Sequence, residues 1–81
     1  MFYSGLIVTC KPDRFDAVGL ELERLSVDIH QRHQQSGRYV VVLEEKTVEA
    51  ETERFRTIRS LEGVADVSLV VHRDEPDAAT A

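Results

Sequence analysis

Apolar and polar positions change period several times along the chain, and each change marks an element. Phe2 to Cys10 is apolar and partly β-branched, and Lys11-Pro12-Asp13 closes it, which predicts a first strand. Pro12 is expected in the first turn of a following helix, where its missing N–H costs nothing. Phe15, Val18, Leu22 and Leu25 then recur at helical spacing and define the apolar face of that helix. Gly19 falls within it, weakening it by up to ~1 kcal/mol relative to alanine but letting it approach a sheet closely. Ser26 to Gln31 alternates, with Val27 and Ile29 against Asp28 and His30, and reads as a half-buried strand. His33-Gln34-Gln35-Ser36-Gly37 is polar, ends in glycine and reads as a hairpin loop. Arg38 to Glu45, with Tyr39-Val40-Val41-Val42-Leu43 inside it, is the strongest strand signal in the chain.

Thr47 is placed to cap a second helix. Glu49, Glu51 and Glu53 lie in its first turns, where carboxylates favour the helix dipole, and Arg54, Arg56 and Arg59 lie toward its other end. Val48, Thr52, Phe55 and Ile58 are expected to form its inner stripe, and Gly63 to end it. Val64 to His72 alternates once more and predicts a last strand. Residues 1–73 read as one domain; 74–81, which include Pro76 and no apolar anchor, read as a flexible polar tail.

Strand, helix, strand, strand, helix, strand is the order of an α+β fold, the ferredoxin-like βαββαβ sandwich. Two helices cover one face of a four-stranded antiparallel sheet, and nothing remains to cover the other. Alternation then assigns side chains to faces. Leu6, Val8, Cys10, Val27, Ile29, Tyr39, Val41, Leu43, Val67, Leu69 and Val71 are assigned to the helix side. Ile7, Thr9, Asp28, His30, Val40, Val42, Glu44, Ser68, Val70 and His72 are assigned to the open side. Ile7, Val40, Val42 and Val70 would form an apolar centre, ringed by Thr9, His30, Glu44, Ser68 and His72. Grouped exposed aliphatics mark an interaction surface, for a partner or for a second copy of the chain.

Composition narrows the partner. The 81 residues suffice for one modest core. A formal net charge of −5 disfavours nucleic acid and anionic membrane and suits a cationic partner, though it is equally an ordinary solubilising charge. Cys10 is the lone cysteine, so no intrachain disulfide is possible. The first residues lack the basic start of a secretory signal, and no apolar run approaches the ~20 residues of a transmembrane helix. The expected compartment is the cytoplasm.

Motifs for chemistry are missing. There is no glycine-rich phosphate loop, no His-Glu-x-x-His and no Cys-x-x-Cys. His30 and His33 are placed on opposite faces, and His30 and His72 on opposite edges, so neither pair chelates an ion. The RNA-binding domains of this topology stack bases on aromatic residues of two central strands, where this chain has Ile7, Thr9, Val40 and Val42.

Several segments resemble one known family. Gly5-Leu6-Ile7-Val8 with Pro12, Ser36-Gly37-Arg38-Tyr39-Val40-Val41-Val42-Leu43-Glu44, and above all Leu61-Glu62-Gly63-Val64-Ala65-Asp66-Val67-Ser68-Leu69-Val70-Val71-His72 look like NapD, the assembly chaperone of periplasmic nitrate reductase. The resemblance implies a cytoplasmic, non-enzymatic protein of ferredoxin-like fold that holds no metal or cofactor. It implies binding, as a helix across the open sheet face, of the twin-arginine signal peptide of the catalytic subunit. Export is thereby restrained until the molybdenum cofactor and iron–sulfur cluster are installed. On that reading Ile7, Val40, Val42 and Val70 take the apolar part of the peptide and Glu44, with Asp28 or Glu45, its arginines. Thr9, His30, Ser68 and His72 form the rim. A monomer is expected, with a homodimeric regulatory or small-molecule-binding domain as the alternative. The chain departs from the family at Glu23-Arg24-Leu25-Ser26, where members often have a Pro-Gly turn, and at the polar Gln31-Arg32-His33.

Overall fold

The computed structural model describes residues 1–74, with side chains described through Val70. The elements are β1 (Phe2–Cys10), α1 (Phe15–Arg24), β2 (Asp28–His33), β3 (Arg38–Glu45), α2 (Val48–Arg59) and β4 (Val64–Asp74). The strands form one antiparallel sheet in the order β2-β3-β1-β4, so β1 and β3 are central and β2 and β4 are edges. This is the expected ferredoxin-like arrangement. The expected tail at 74–81 falls, apart from Asp74, outside the described residues, and Asp74 itself belongs to β4.

One face of the sheet packs on the helices. Leu6, Val8, Tyr39, Val41, Leu43, Val64 and Val67 from the strands meet Val18, Leu22 and Ile58 from the helices. Cys10, Phe15, Leu25, Val27, Ile29, Phe55 and Leu61 pack against the margins of this core. Each aliphatic side chain fully buried in this way contributes roughly 1.5–3 kcal/mol. Alternation along β1 and β3 is unbroken, so the assignments made for those strands hold.

Gly19 is the point of closest approach between α1 and the sheet. A Cβ there would lie 2.3 Å from the hydroxyl oxygen of Tyr39. That hydroxyl donates to the Phe15 carbonyl at 2.6 Å, and the Phe15 and Tyr39 rings stack with centroids 4.2 Å apart. The absent side chain thus admits a tyrosine that ties β3 to the first turn of α1.

Several boundaries differ from expectation. Pro12 precedes α1 instead of opening it: Asp13 takes a left-handed φ of 64°, and the helix begins at Phe15. At the other end of α1, Ser26 adopts φ 59°, with its N–H bonded to the Glu23 carbonyl at 3.1 Å. This is the helix-ending conformation that glycine usually supplies, here carried by serine at the junction that lacks a Pro-Gly turn. β2 starts and ends two residues later than predicted, so His33 belongs to the strand. Gln34 to Gly37 then make the turn, closed by the Gly37 N–H to the Gln34 carbonyl at 3.2 Å.

The inner face of α2 also needs correcting. Thr47 caps the helix as expected, its side chain accepting from the Ala50 N–H at 3.0 Å. The buried positions, however, are Glu51 and Ile58, with Phe55 between them at the core margin, while Val48 and Thr52 are exposed. Glu51 and Ile58 lie seven positions apart, nearly two helical turns, on one face. A carboxylate occupies that face because Ser4, buried on β1, donates its hydroxyl to Glu51. The pairing offsets the cost of taking the acid out of water.

Candidate functional site

The uncovered face is built on β1 and β3. Directly opposed residues of an antiparallel pair share a face. The register sets Ile7 against Val40, Gly5 against Val42, Tyr3 against Glu44 and Thr9 against Arg38. Their neighbours on each strand point to the core, so these eight point away from it. Ile7, Val40 and Val42 are half-buried although no element among the described residues covers them, because they shield one another across the two central strands. Gly5, opposite Val42, brings no side chain to this face. Thr9 and Glu44 stand where they were expected, at opposite ends of this apolar strip.

The edges depart from simple alternation. On β2, Ile29 opposes Val41 and Gln31 opposes Val40, so His30 is the extra residue of a bulge. His30 is exposed, but the place opposite Val40 belongs to Gln31. His33 follows it on the same side, opposite Arg38, and its Nε2 lies 2.7 Å from Gln31 Oε1. Asp28 keeps its expected place opposite Val42.

On β4, Ser68 opposes Ile7 as expected, and its hydroxyl donates to Asp66 at 3.3 Å. Beyond it the ladder skips: Leu69 opposes Leu6 and Val71 opposes Gly5, which leaves Val70 as a bulged residue without a partner on β1. Val70 is 58% exposed, yet alternation no longer fixes its side, and Val71, assigned to the helix side, instead stands opposite Gly5 of the open face, because the skip at Val70 reverses the parity. The same skip sets His72 opposite Ser4, a residue of the helix-side set, rather than opposite an open-face residue. The side chains of Val71 and His72 lie outside the described residues. Leu69 opposes the core residue Leu6, as assigned to the helix side, but is 54% exposed, because it sits on the edge strand in an open pocket that it lines with Phe55 and Thr52 of α2.

Tyr3, Gln31, His33, Arg38 and Asp66 thus join the face unforeseen. Arg38 and Tyr3 share parity with Val40 and Ile7 and were readable by carrying each alternation to the strand ends. Gln31 and His33 depend on a bulge that hydropathy does not mark.

Polar chemistry on this face is plain. Among the described residues no group of His, Cys, Asp and Glu converges as a metal site. Burial pushes the Cys10 thiol above its ordinary range, opposite to what a reactive thiolate needs. Glu45 turns from the face and pairs with Arg54 at 3.2 Å, which leaves Glu44, Asp28 and, opposite Thr9, Asp66 as the carboxylates around the apolar strip among the described residues. No helix among the described residues is long and apolar enough to cross a membrane.

A sheet walled by helices on one face and, among the described residues, uncovered and apolar-centred on the other defines a small ferredoxin-like binding module. The comparisons narrow the class. The NapD family model, described as NapD protein, matches residues 3–76, and the chain belongs to that family. Its structure is similar to the solution structure of the E. coli Tat proofreading chaperone protein NapD. The TM-score is 0.80 at 27% sequence identity, over 94% of this chain and 82% of that one. No curated protein sequence matches the chain.

Proposed function

We propose that this chain is a cytoplasmic chaperone for maturation of the periplasmic nitrate reductase. It binds the twin-arginine signal peptide of the catalytic subunit on the open sheet face and restrains export until the cofactors are in place. Family membership and the likeness to a Tat proofreading chaperone support the role. The observation that carries the site is the half-buried strip of Ile7, Val40 and Val42, left uncovered and flanked by Asp28 and Glu44. An amphipathic peptide lays its apolar side on such a strip, and carboxylates at its end accept arginine hydrogen bonds.

The test is a titration of the protein with the synthetic signal peptide, followed by calorimetry and by amide NMR shifts. Binding is expected at a 1:1 ratio, with the largest shifts in β1 and β3 and weaker affinity at high salt. Absence of heat and of shifts would sink the proposal. Sedimentation at micromolar concentration supplies the second arm: a dimer that hides this face would count against peptide binding there.

A further inference from the structure

The two edges of the sheet are built differently. β2 is 6 residues long, and all of its side chains except Ile29 are polar and exposed. Polar and charged residues, together with the bulge at His30, keep such an edge from pairing with another strand. β4 is 11 residues long, and no strand among the described residues pairs with its outer side. At its middle stand Leu69 and Val70, 54% and 58% exposed. Leu69 also lines the pocket with Thr52 and Phe55, so this apolar patch continues onto α2. Grouped aliphatics on a long edge strand form a template for a further strand.

The register of β4 shows which strand fits. Two copies of one strand pair antiparallel about a two-fold axis, and opposed residues must then lie on the same face of the sheet. On one side of the Leu69–Val70 centre, Ser68 and Asp66 stand opposite the open-face residues Ile7 and Thr9, and Val67 opposite the core residue Val8. On the other side, Val71 and Arg73 stand opposite the open-face residues Gly5 and Tyr3, and His72 opposite Ser4 of the helix side. Because of the skip at Val70, the sequence of faces outward from this centre is the same in both directions. A second copy laid antiparallel about it sets Ser68 opposite Val71, Val67 opposite His72 and Asp66 opposite Arg73, each pair on one face. Leu69 and Val70 oppose each other at the axis, and opposite charges meet at both ends. Apolar and opposite-charge pairs of this kind stabilise a ladder.

We propose that this chain forms a two-fold dimer through the β4 edge, with Asp66 of each copy opposite Arg73 of the other. The two sheets join into one continuous sheet. The axis runs perpendicular to it, so both open faces lie on the same side and both stay uncovered. The dimer is therefore independent of the function proposed above and compatible with it. The paired stretch from Asp66 to Arg73 is short, which places the contact among small, transient interfaces that dissociate on dilution.

The experiment follows the whole chain by sedimentation velocity and amide NMR over a dilution series from about 1 mM to about 1 μM. A concentration-dependent dimer is expected, with shifts confined to β4 and the neighbouring residues of α2. A chain that stays monomeric throughout overturns the proposal, and so does a dimer whose shifts centre on the open face of β1 and β3. The double variant L69K/V70K changes two exposed side chains and is expected to abolish the dimer while the rest of the amide spectrum stays native. Charge exchange tests the register. D66R opposes like charges at both ends of the ladder, as does R73D, and each is expected to weaken self-association by about tenfold at low salt. Mixed in equal amounts, the two variants restore opposite charges at both ends of a heterodimer, and association should return to the wild-type level. A mixture no more associated than either variant alone overturns the proposed pairing.

Discussion

The helix-covered and open faces of the sheet are made from alternate residues of the same strands, and they use those residues differently. On the covered face, Leu6, Val8, Val41 and Leu43 are sealed against Val18, Leu22 and Ile58, and each described buried side-chain polar atom has a hydrogen-bond partner. On the open face the aliphatics are half-buried, and Asp28, Glu44 and Arg38 are unpaired among the described residues. Stability resides in one set and recognition capacity in the other. Successive strand residues point to opposite faces, so the two sets can be altered almost independently.

Val41 and Val42 give the sharpest test, being adjacent on β3. Val41→Asp places an unpaired carboxylate in the core, which is expected to cost more than about 4 kcal/mol and to unfold a domain of marginal stability. Val42→Asp is expected to cost within about 1 kcal/mol, leave a native amide spectrum and abolish detectable peptide binding. Urea melts and peptide titrations on the two variants decide it. Comparable melts for both would erase the distinction between the faces.

The legibility of the sequence follows the same division. β1 and β3 were readable to the residue because a central strand has a partner on each side and its alternation is enforced by the core. The open-face places of Ile7, Thr9, Val40, Val42 and Glu44 followed directly. The edges were less readable. At His30 and Val70 an extra residue enters the ladder, and parity beyond it reverses although the hydropathy continues smoothly. A bulge is set by backbone twist and by which edge is free to bend, and neither leaves a mark in residue type. Glu51 was missed for a different reason. Its burial depends on Ser4, remote in sequence, and no local pattern announces such a pairing. His33 reached the open face only through the β2 bulge.

Gly19 probes the covered face from the helix side. Gly19→Ala improves helix propensity by up to ~1 kcal/mol. The new Cβ would meet the Tyr39 hydroxyl oxygen at 2.3 Å, so the ring or the helix has to move. Overpacking of this kind typically costs ~1–3 kcal/mol, and net destabilisation is expected. In G19A/Y39F the nearest ring atom would be 3.1 Å from the Cβ, and part of the loss should return. A denaturant double-mutant cycle measures that coupling. A stabilised G19A single variant would show that α1 does not depend on close contact with the sheet.

The smallest effect tests the same contact through pH. Tyr39 is held above its ordinary pKa, chiefly by burial and next by the nearby Cys10; Arg32, whose guanidinium lies 5.9 Å from the ring centroid, opposes the shift, and Asp16 adds to it. A raised folded-state pKa means that the phenol's contribution is fully present below its unfolded value of ~10 and is lost as pH rises through the folded value. The phenol also donates its proton to the Phe15 carbonyl, so ionisation removes a hydrogen bond as it buries a charge. The wild-type melting temperature is therefore expected to fall as pH is raised above about 10, measured against the same scan for Tyr39→Phe. At neutral pH that variant should lose about 1 kcal/mol for the missing hydrogen bond, and above the phenol's range its disadvantage should shrink or reverse. Parallel alkaline curves for the two proteins would mean that Tyr39 does not carry the sensitivity. Because the ring lies wholly on the covered face, peptide affinity at neutral pH should be the same for both, which tests the separation of the faces from the side opposite to Val42→Asp.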